Sequence, residues 1–183
     1  MKEGEIRMDK TMIDAARDLM KQLLPEIADI MDDICELGQF FDKYNYEHGT
    51  DYDVQCGSAR MCLVCDTFVI KWDYDLTSVD EIGGCWDECV AYQTIKDSPF
   101  AYLFAEAVMF KIGWNDFEVM PRIKNVGYKP TAIATWLTND EFRFVTDVTS
   151  DLHSYNWGVV NNKPCIIDYA LTEDVRDRAS TDW

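Results

Sequence analysis

The sequence is poor in positive charge. Its 183 residues hold 17 Lys and Arg against 34 Asp and Glu, a formal net charge of −17 at pH 7. Neutralising phosphates takes clustered Lys and Arg, so this balance argues against direct nucleic-acid binding through a basic patch. Long apolar runs are missing too. None approaches the ~18 residues of a spanning helix, and the N-terminal MKEGEIRMDK has no apolar stretch like that of a secretory signal. The expectation is a cytoplasmic protein with no membrane partner. There is no internal repeat and no low-complexity segment, and histidine is limited to His48 and His153. What is present is a core: 48% of residues are hydrophobic, which rules out wholesale disorder. The length suits one domain, or one domain with an appendage.

The acidity is uneven. The first 98 residues hold 9 of the 17 basic and 22 of the 34 acidic side chains, which places −13 of the −17 there. Such a surface favours a basic partner or mimicry of nucleic acid. The seven cysteines, odd in number and without a signal peptide, point to a reducing compartment and free thiols. Cys62 and Cys65 are spaced C-x-x-C, and Cys85 and Cys89 lie four apart, which is suggestive of zinc. Alternation along a strand, however, turns Cys62 and Cys65 to opposite faces. Both pairs read as small buried side chains.

Residues 9–41 carry apolar positions at helical spacing, from Met12, Ala16, Leu19, Met20 and Leu23 to Ile27, Ile30, Met31, Ile34 and Leu37. Pro25 either kinks one helix or opens a second. Asp18, Lys21, Asp29, Asp32, Asp33 and Glu36 occupy the opposite face, either as a solvated surface or as a partner-binding one. Residues 43–53 read as a connector. Met61–Cys65 and Phe68–Trp72 read as strands about an Asp66-Thr67 turn. Ser78 and Glu81 form a candidate capping box for a helix over 80–96, with Gly83-Gly84 delaying its start. Ala105–Lys111 and Phe117–Pro121 read as strands joined by IGWND. Residues 131–149 give mixed signals, and the tail from Leu171 is polar.

The stretch from Ser150 to Ala170 holds the chemistry. Trp157–Val160 and Cys165–Ile167 read as strands around Asn161-Asn162-Lys163. Asn156 and Asp168 each lie six residues from Asn162, so a hairpin centred there brings an amide oxygen and a carboxylate to its open end. Hard oxygens of this kind suit Mg²⁺, which takes one or two protein ligands plus substrate phosphates. Asp151, five residues before Asn156, is close enough to contact a substrate at the same place. Taken singly, Asp168 reads equally as a turn cap and Asn156 as a loop stabiliser.

Together these residues resemble the protein-kinase-like superfamily. Asp151-Leu-His-Ser-Tyr-Asn156 matches its catalytic loop, and Ile167-Asp168-Tyr169-Ala170 stands in place of the metal-binding D-F-G. The pattern is most similar to small bacteriophage-encoded serine/threonine kinase-like proteins. The resemblance extends upstream: Val69-Ile70-Lys71 sits where the third strand carries the phosphate-gripping Lys, and Glu88 (with Asp87 as the runner-up) is the carboxylate of the following helix. On its own, Lys71 would read as an edge-strand lysine. Gly57-Ser58-Ala59-Arg60 falls at the glycine-rich loop, with one glycine where the family has three. Met120, at the end of a fifth strand, falls at the adenine-contacting hinge. His153 resembles the loop histidine that packs and hydrogen-bonds within the loop.

The resemblance implies an α+β, minimal kinase-like fold: an antiparallel-sheet N-lobe over about 51–123, a truncated C-lobe over about 124–183, and an N-terminal amphipathic helical extension over 1–50. It implies an ATP- and Mg²⁺-dependent phosphotransferase acting on a hydroxyl acceptor, a host protein among the candidates, in the host cytoplasm if phage-encoded. Lys71, held by Glu88, grips the phosphates with Gly57 and Ser58. Asn156 and Asp168 hold the metal, and Asp151 orients the acceptor hydroxyl. The sequence departs from the family in having Thr149-Ser150 where H-R precedes the Asp, Tyr169-Ala170 for F-G, and no activation segment. These departures support a second reading, a catalytically weak pseudokinase serving as an acidic binding or inhibitor protein against a basic host factor.

Overall fold

The computed structural model describes residues 8–57, 60–73, 84–125 and 135–169. Ser58, the Ser78/Glu81 capping pair, Ala170 and the polar tail lie outside the described residues. The chain is α+β, and its contacts divide it into two compact units. One comprises Met8–Cys85 and Val108–Arg122; the other contains Trp86–Ala107 and the chain from Ile123 onward. One boundary of the division lies between Arg122 and Ile123. The N-terminal helices belong with the sheet because they share its core.

In the first unit, helix α1 spans Lys10–Ile27 and α2 spans Ile34–His48. Asp9 caps α1, accepting the Met12 N–H at 2.8 Å. Asp33 caps α2, accepting the N–H groups of Cys35 and Glu36. Pro25 neither opens a second helix nor divides the first. It sits exposed in the last turns of α1, and the break falls at residues 28–33. There, N–H groups of Ile30 and Asp33 bond back to Ile27 and Ile30. The segment expected as a connector is helical as far as His48. Gly49, at φ 67°, supplies the left-handed stop. Asn45 then ties down the chain beyond it, bonding the N–H and the carbonyl of Tyr52 and the hydroxyl of Thr50.

Five antiparallel strands follow the order β1-β2-β3-β5-β4: β1 Asp53–Cys56, β2 Arg60–Val64, β3 Phe68–Asp73, β4 Val108–Ile112 and β5 Asn115–Pro121. The Asp66-Thr67 turn is closed by Cys65 N–H on Phe68 O at 2.9 Å. Met61, Leu63, Ile70, Trp72, Phe117 and Val119 alternate toward Ala16, Met20, Leu23, Ile27, Leu37 and Phe41 in one hydrophobic core. Trp72 spans it and donates its Nε1–H to Met31 O at 3.1 Å. The β4–β5 loop is only Gly113-Trp114, with Gly113 at φ 61°. Strand β4 starts three residues later than the pattern predicts, because Phe104 bridges to Ile166 and Ala105 donates to Ile166 O instead.

In the second unit, helix α3 (Cys85–Ile95) begins directly after Gly84; its first residue groups with the sheet. A short 3-10 turn, Ala101–Leu103, precedes the bridge to Ile166. Helix α4 (Asn139–Val148) resolves the ambiguous stretch. Thr138 and Glu141 form a reciprocal capping box, and Glu141 also accepts the Tyr102 hydroxyl. Strands β6 (Trp157–Val160) and β7 (Lys163–Ile166) form a hairpin whose two-residue loop, Asn161-Asn162, has φ of 51° and 62°. Both central residues of such a turn need positive φ, which Asn tolerates.

Gly158, on β6, pairs with Asn125, and a Cβ there would lie 2.4 Å from Ile123 Cγ2 and 3.0 Å from Lys124 O. The methyl group of Gly158→Ala must therefore push the 123–125 segment away. The expected cost is ~1–3 kcal/mol, read as a lower urea midpoint at an unchanged m-value. A midpoint equal to wild type would show that the strand has room there.

Candidate functional site

Lys71 is not an edge-strand lysine. Strand β3 lies between β2 and β5, and Lys71 is 4% exposed. Its sheet partners are Cys62 on β2 and Glu118 on β5. Glu118 is fully buried; one carboxylate oxygen lies 3.8 Å from Lys71 Nζ and the other 3.8 Å from Arg60 Nη1. Two cations thus bracket one carboxylate on the sheet face opposite the helices. Sequence reasoning passed over Glu118. Its signal was a lone acid in the apolar strand Phe-Glu-Val-Met, two residues before Met120, where the hinge was read. Met120, on the same strand, is buried and pairs with Val69.

Gly57 lies in the β1–β2 turn, at the place expected for a phosphate loop. Its N–H donates to Arg60 O at 2.9 Å, so that donor is already used in closing the turn. Its φ is not positive, and a Cβ would meet only Arg60 O at 3.8 Å. Among the described residues, none therefore requires glycine at position 57.

In the other unit, Glu88 lies on α3, flanked by buried Cys85, Ala91, Tyr92 and Ile95 on its face, as the spacing implied. Asp87 is buried as well. The Glu88 carboxylate accepts the Tyr169 N–H at 2.6 Å. The Tyr169 ring is fully buried, and its hydroxyl donates to Ala105 O at 2.8 Å.

The 151–168 segment gathers three of the expected residues. Asn156 is buried at the end of a short 3-10 turn, and its Nδ2 donates to Asp151 O at 3.3 Å. That bond commits the amide nitrogen to the loop. The hairpin register is one residue off the expected one. A two-residue loop centres the hairpin between Asn161 and Asn162, so Ile167, not Asp168, stands opposite Asn156 and donates its N–H to Asn156 O at 2.7 Å. Asp168 is the next residue, partly buried where the strand bends. Asp151 Oδ1 is buried and receives no hydrogen bond. His153 Nε2 lies 3.6 Å from that oxygen. His153 does not pack within the loop: its side chain is 85% exposed, and its backbone carbonyl accepts the Asn156 N–H.

Asn156 and Asp168 carry hard oxygen donors, the type of which Mg²⁺ takes one or two alongside substrate phosphates. Among the described residues no group of three His, Cys, Asp or Glu is arranged to hold a metal ion. Likewise, no described helix is long and apolar enough to cross a membrane. No protein-family model matches the sequence, and no curated protein matches it.

The cysteines are all free. Cys65, Cys85, Cys89 and Cys165 are buried, Cys62 is partly covered, and Cys35 and Cys56 are exposed. Burial, with a smaller push from Asp66, raises the Cys65 thiol to about 12, and burial alone raises Cys165 to about 12. Cys85 is raised well above its ordinary value by burial first and by Glu118 and Asp73 after it.

Two expectations follow. A thiol whose folded pKa exceeds its unfolded value favours the fold below the unfolded value and loses that contribution as pH climbs through the folded one. Stability should therefore fall from about pH 9 toward 12, and native alkylation near neutral pH should label Cys35 and Cys56 while sparing Cys65, Cys85 and Cys165 until the chain unfolds. Peptide mapping after iodoacetamide treatment checks the pattern, and labelling of Cys165 in the native protein would contradict it. Separately, Glu118→Gln leaves Lys71 and Arg60 buried without their shared carboxylate. Breaking a buried pair costs ~3–5 kcal/mol, so urea unfolding should show a loss of that order. A loss within experimental error would mean that water already reaches the cluster.

Proposed function

We propose that the protein is a kinase-like phosphotransferase that moves a phosphoryl group from Mg²⁺-ATP to a hydroxyl acceptor. The observation that carries this reading is Asp151. Its Oδ1 is buried without a hydrogen bond, on a loop whose carbonyl fixes Asn156, which in turn fixes the strand leading to Asp168. Burying a carboxylate oxygen without a hydrogen bond costs free energy, and a substrate hydroxyl is a donor that could supply one. The order of the other elements supports the same reading. Lys71 lies on the third strand of an antiparallel sheet, Glu88 on the helix after it, and Met120 at the end of the fifth strand.

In this reading Asp151 orients the acceptor hydroxyl and takes its proton. Lys71 places its charge against the phosphates. Asn156 Oδ1 and Asp168 hold Mg²⁺, which supplies neutralisation of the phosphate charge when bound. Most of the rate comes from positioning and electrostatics. The second reading, an acidic scaffold for a basic host partner, draws on the exposure of Asp18, Asp29, Asp32, Asp33 and Glu36 across α1, the 28–33 break and the start of α2. Two of these already have local tasks: Asp33 caps α2, and Asp18 pairs with Lys21 at 3.2 Å.

Two substitutions separate binding from chemistry. Asp168→Asn should lose Mg²⁺-dependent ATP binding and turnover together. Asp151→Asn should keep ATP affinity and lose phosphotransfer by roughly 10²–10⁴-fold. The measurement is ATP affinity and phosphotransfer for both variants, in host lysate with labelled ATP, with folding checked by circular dichroism. Full phosphotransfer by Asp151→Asn would end the catalytic-loop assignment. Wild type that binds no Mg²⁺-ATP would favour the scaffold.

A further inference from the structure

Helix α4 and strand β7 lead into the candidate site from one direction. Helix α4 ends at Val148 and hands the chain to Asp151; β7 begins at Lys163, ends at Ile166 and hands the chain to Asp168. At the site the two limbs are joined by Asn156. Its Nδ2 donates to Asp151 O at 3.3 Å, and its carbonyl accepts the Ile167 N–H at 2.7 Å. The Asp151 N–H donates in turn to Oγ1 of Thr149, the C-cap of α4, at 3.1 Å.

The limbs are joined where they begin as well, by Tyr102. Its hydroxyl donates to Glu141 in the first turn of α4, and the Lys163 ammonium lies over its ring, 4.3 Å from the centroid. Burial first, and Glu141 after it, raise Tyr102 to about 12, so the hydroxyl remains a donor near neutral pH. Glu141 is fixed by its capping box with Thr138. Tyr102 is fixed by its 3-10 turn, which leads directly into the Phe104 bridge and the Ala105 bond to Ile166 of β7. The limbs also have similar reach: from Glu141 to Thr149 the helix rises ~12 Å, and from Lys163 to Ile167 the extended chain advances ~13 Å. All of these residues lie in one compact unit.

We infer that Tyr102 is a positioning residue: by clasping Glu141 and Lys163 it sets the spacing of α4 from β7, and with it the place of Asp151 relative to Asn156 and Asp168. This role rests on the phosphotransfer reading above. The group that meets the acceptor arrives on one limb and Asp168 at the end of the other. A loosened clasp therefore misplaces Asp151 while the nucleotide stays bound.

Tyr102→Phe removes the hydroxyl bond and keeps the ring under Lys163. Lys163→Met removes the cation and keeps the hydroxyl bond, and Lys163→Arg restores a cation over the ring. The full-length variants are compared with wild type by three measurements: amide exchange over 149–156 without ligand, Mg²⁺-ATP affinity, and the rate of transfer from saturating labelled ATP in host lysate. A misplacement of ~1 Å costs roughly 10²-fold in rate. Tyr102→Phe and Lys163→Met should each speed exchange over 149–156 and slow transfer by roughly 10–10²-fold, with Mg²⁺-ATP affinity unchanged. Lys163→Arg should match wild type. Either single change opens the same clasp, so the double variant should be no slower than the slower single. Unchanged exchange in both single variants overturns the inference, as does a double variant whose loss is the product of the single losses. Mg²⁺-ATP affinity lost along with rate overturns it too, because that is general loosening. If Tyr102→Phe does not fold, Lys163→Met, at an exposed position, decides by the same measurements. A wild type that transfers nothing overturns the phosphotransfer reading and the catalytic role of the clasp together. An active wild type beside full transfer in both single variants overturns the positioning role alone.

Discussion

Charge removed from water has to be answered by opposite charge or by hydrogen-bond donors close at hand, and each unit of this protein is organised around one such demand. Glu118 makes it on the sheet. It sits on the face turned away from the apolar core, with Arg60 from β2 and Lys71 from β3 as its cations. The sheet can bury one face under α1 and α2 and still carry ionised groups on the other, because those groups neutralise one another across the strands. Glu88 makes the demand in the other unit, where the Tyr169 backbone N–H supplies a 2.6 Å contact.

The consequences run from energetics to chemistry. A carboxylate that accepts a backbone donor fixes main chain, and here the fixed main chain is the residue after Asp168. A carboxylate between two cations fixes side chains, and one of them is Lys71. Asp151 contrasts with both. One of its oxygens is buried without a hydrogen bond, and the solvent-exposed His153 imidazole lies 3.6 Å from it. In the proposed phosphotransfer that oxygen meets the acceptor hydroxyl, and for that reason the proposal rests on Asp151.

Burial sorts the cysteines in the same way. The C-x-x-C and C-x3-C spacings, suggestive of metal on paper, belong to a strand edge and a buried helix. Cys65 and Cys85 there behave as small apolar side chains whose thiols resist ionisation. Spacing alone does not make a ligand set; the side chains must also converge.

Local patterns were legible from the sequence because they depend on neighbours in the chain. The 3–4 spacing of Ala16, Met20, Leu23 and Ile27 marks the buried stripe of α1, and alternation marks β2 and β3. Asn-Asn marks the β6–β7 turn, and the joint placement of Asp151, Asn156 and Asp168 marks the candidate site. Register was decided by tertiary structure. Positive φ at both asparagines centres the hairpin between them, so Ile167 rather than Asp168 faces Asn156. Partner choice was decided there as well. Lys71 reads as an edge lysine until β5 pairs beside β3 and brings Glu118 across from it, 47 residues along the chain. Glu88 and Tyr169, 81 residues apart, meet only when α3 packs against the chain after β7. Helix and strand propensities come from short-range sterics and periodic burial. Which buried charge meets which donor depends on long-range packing, to which no local pattern gives access.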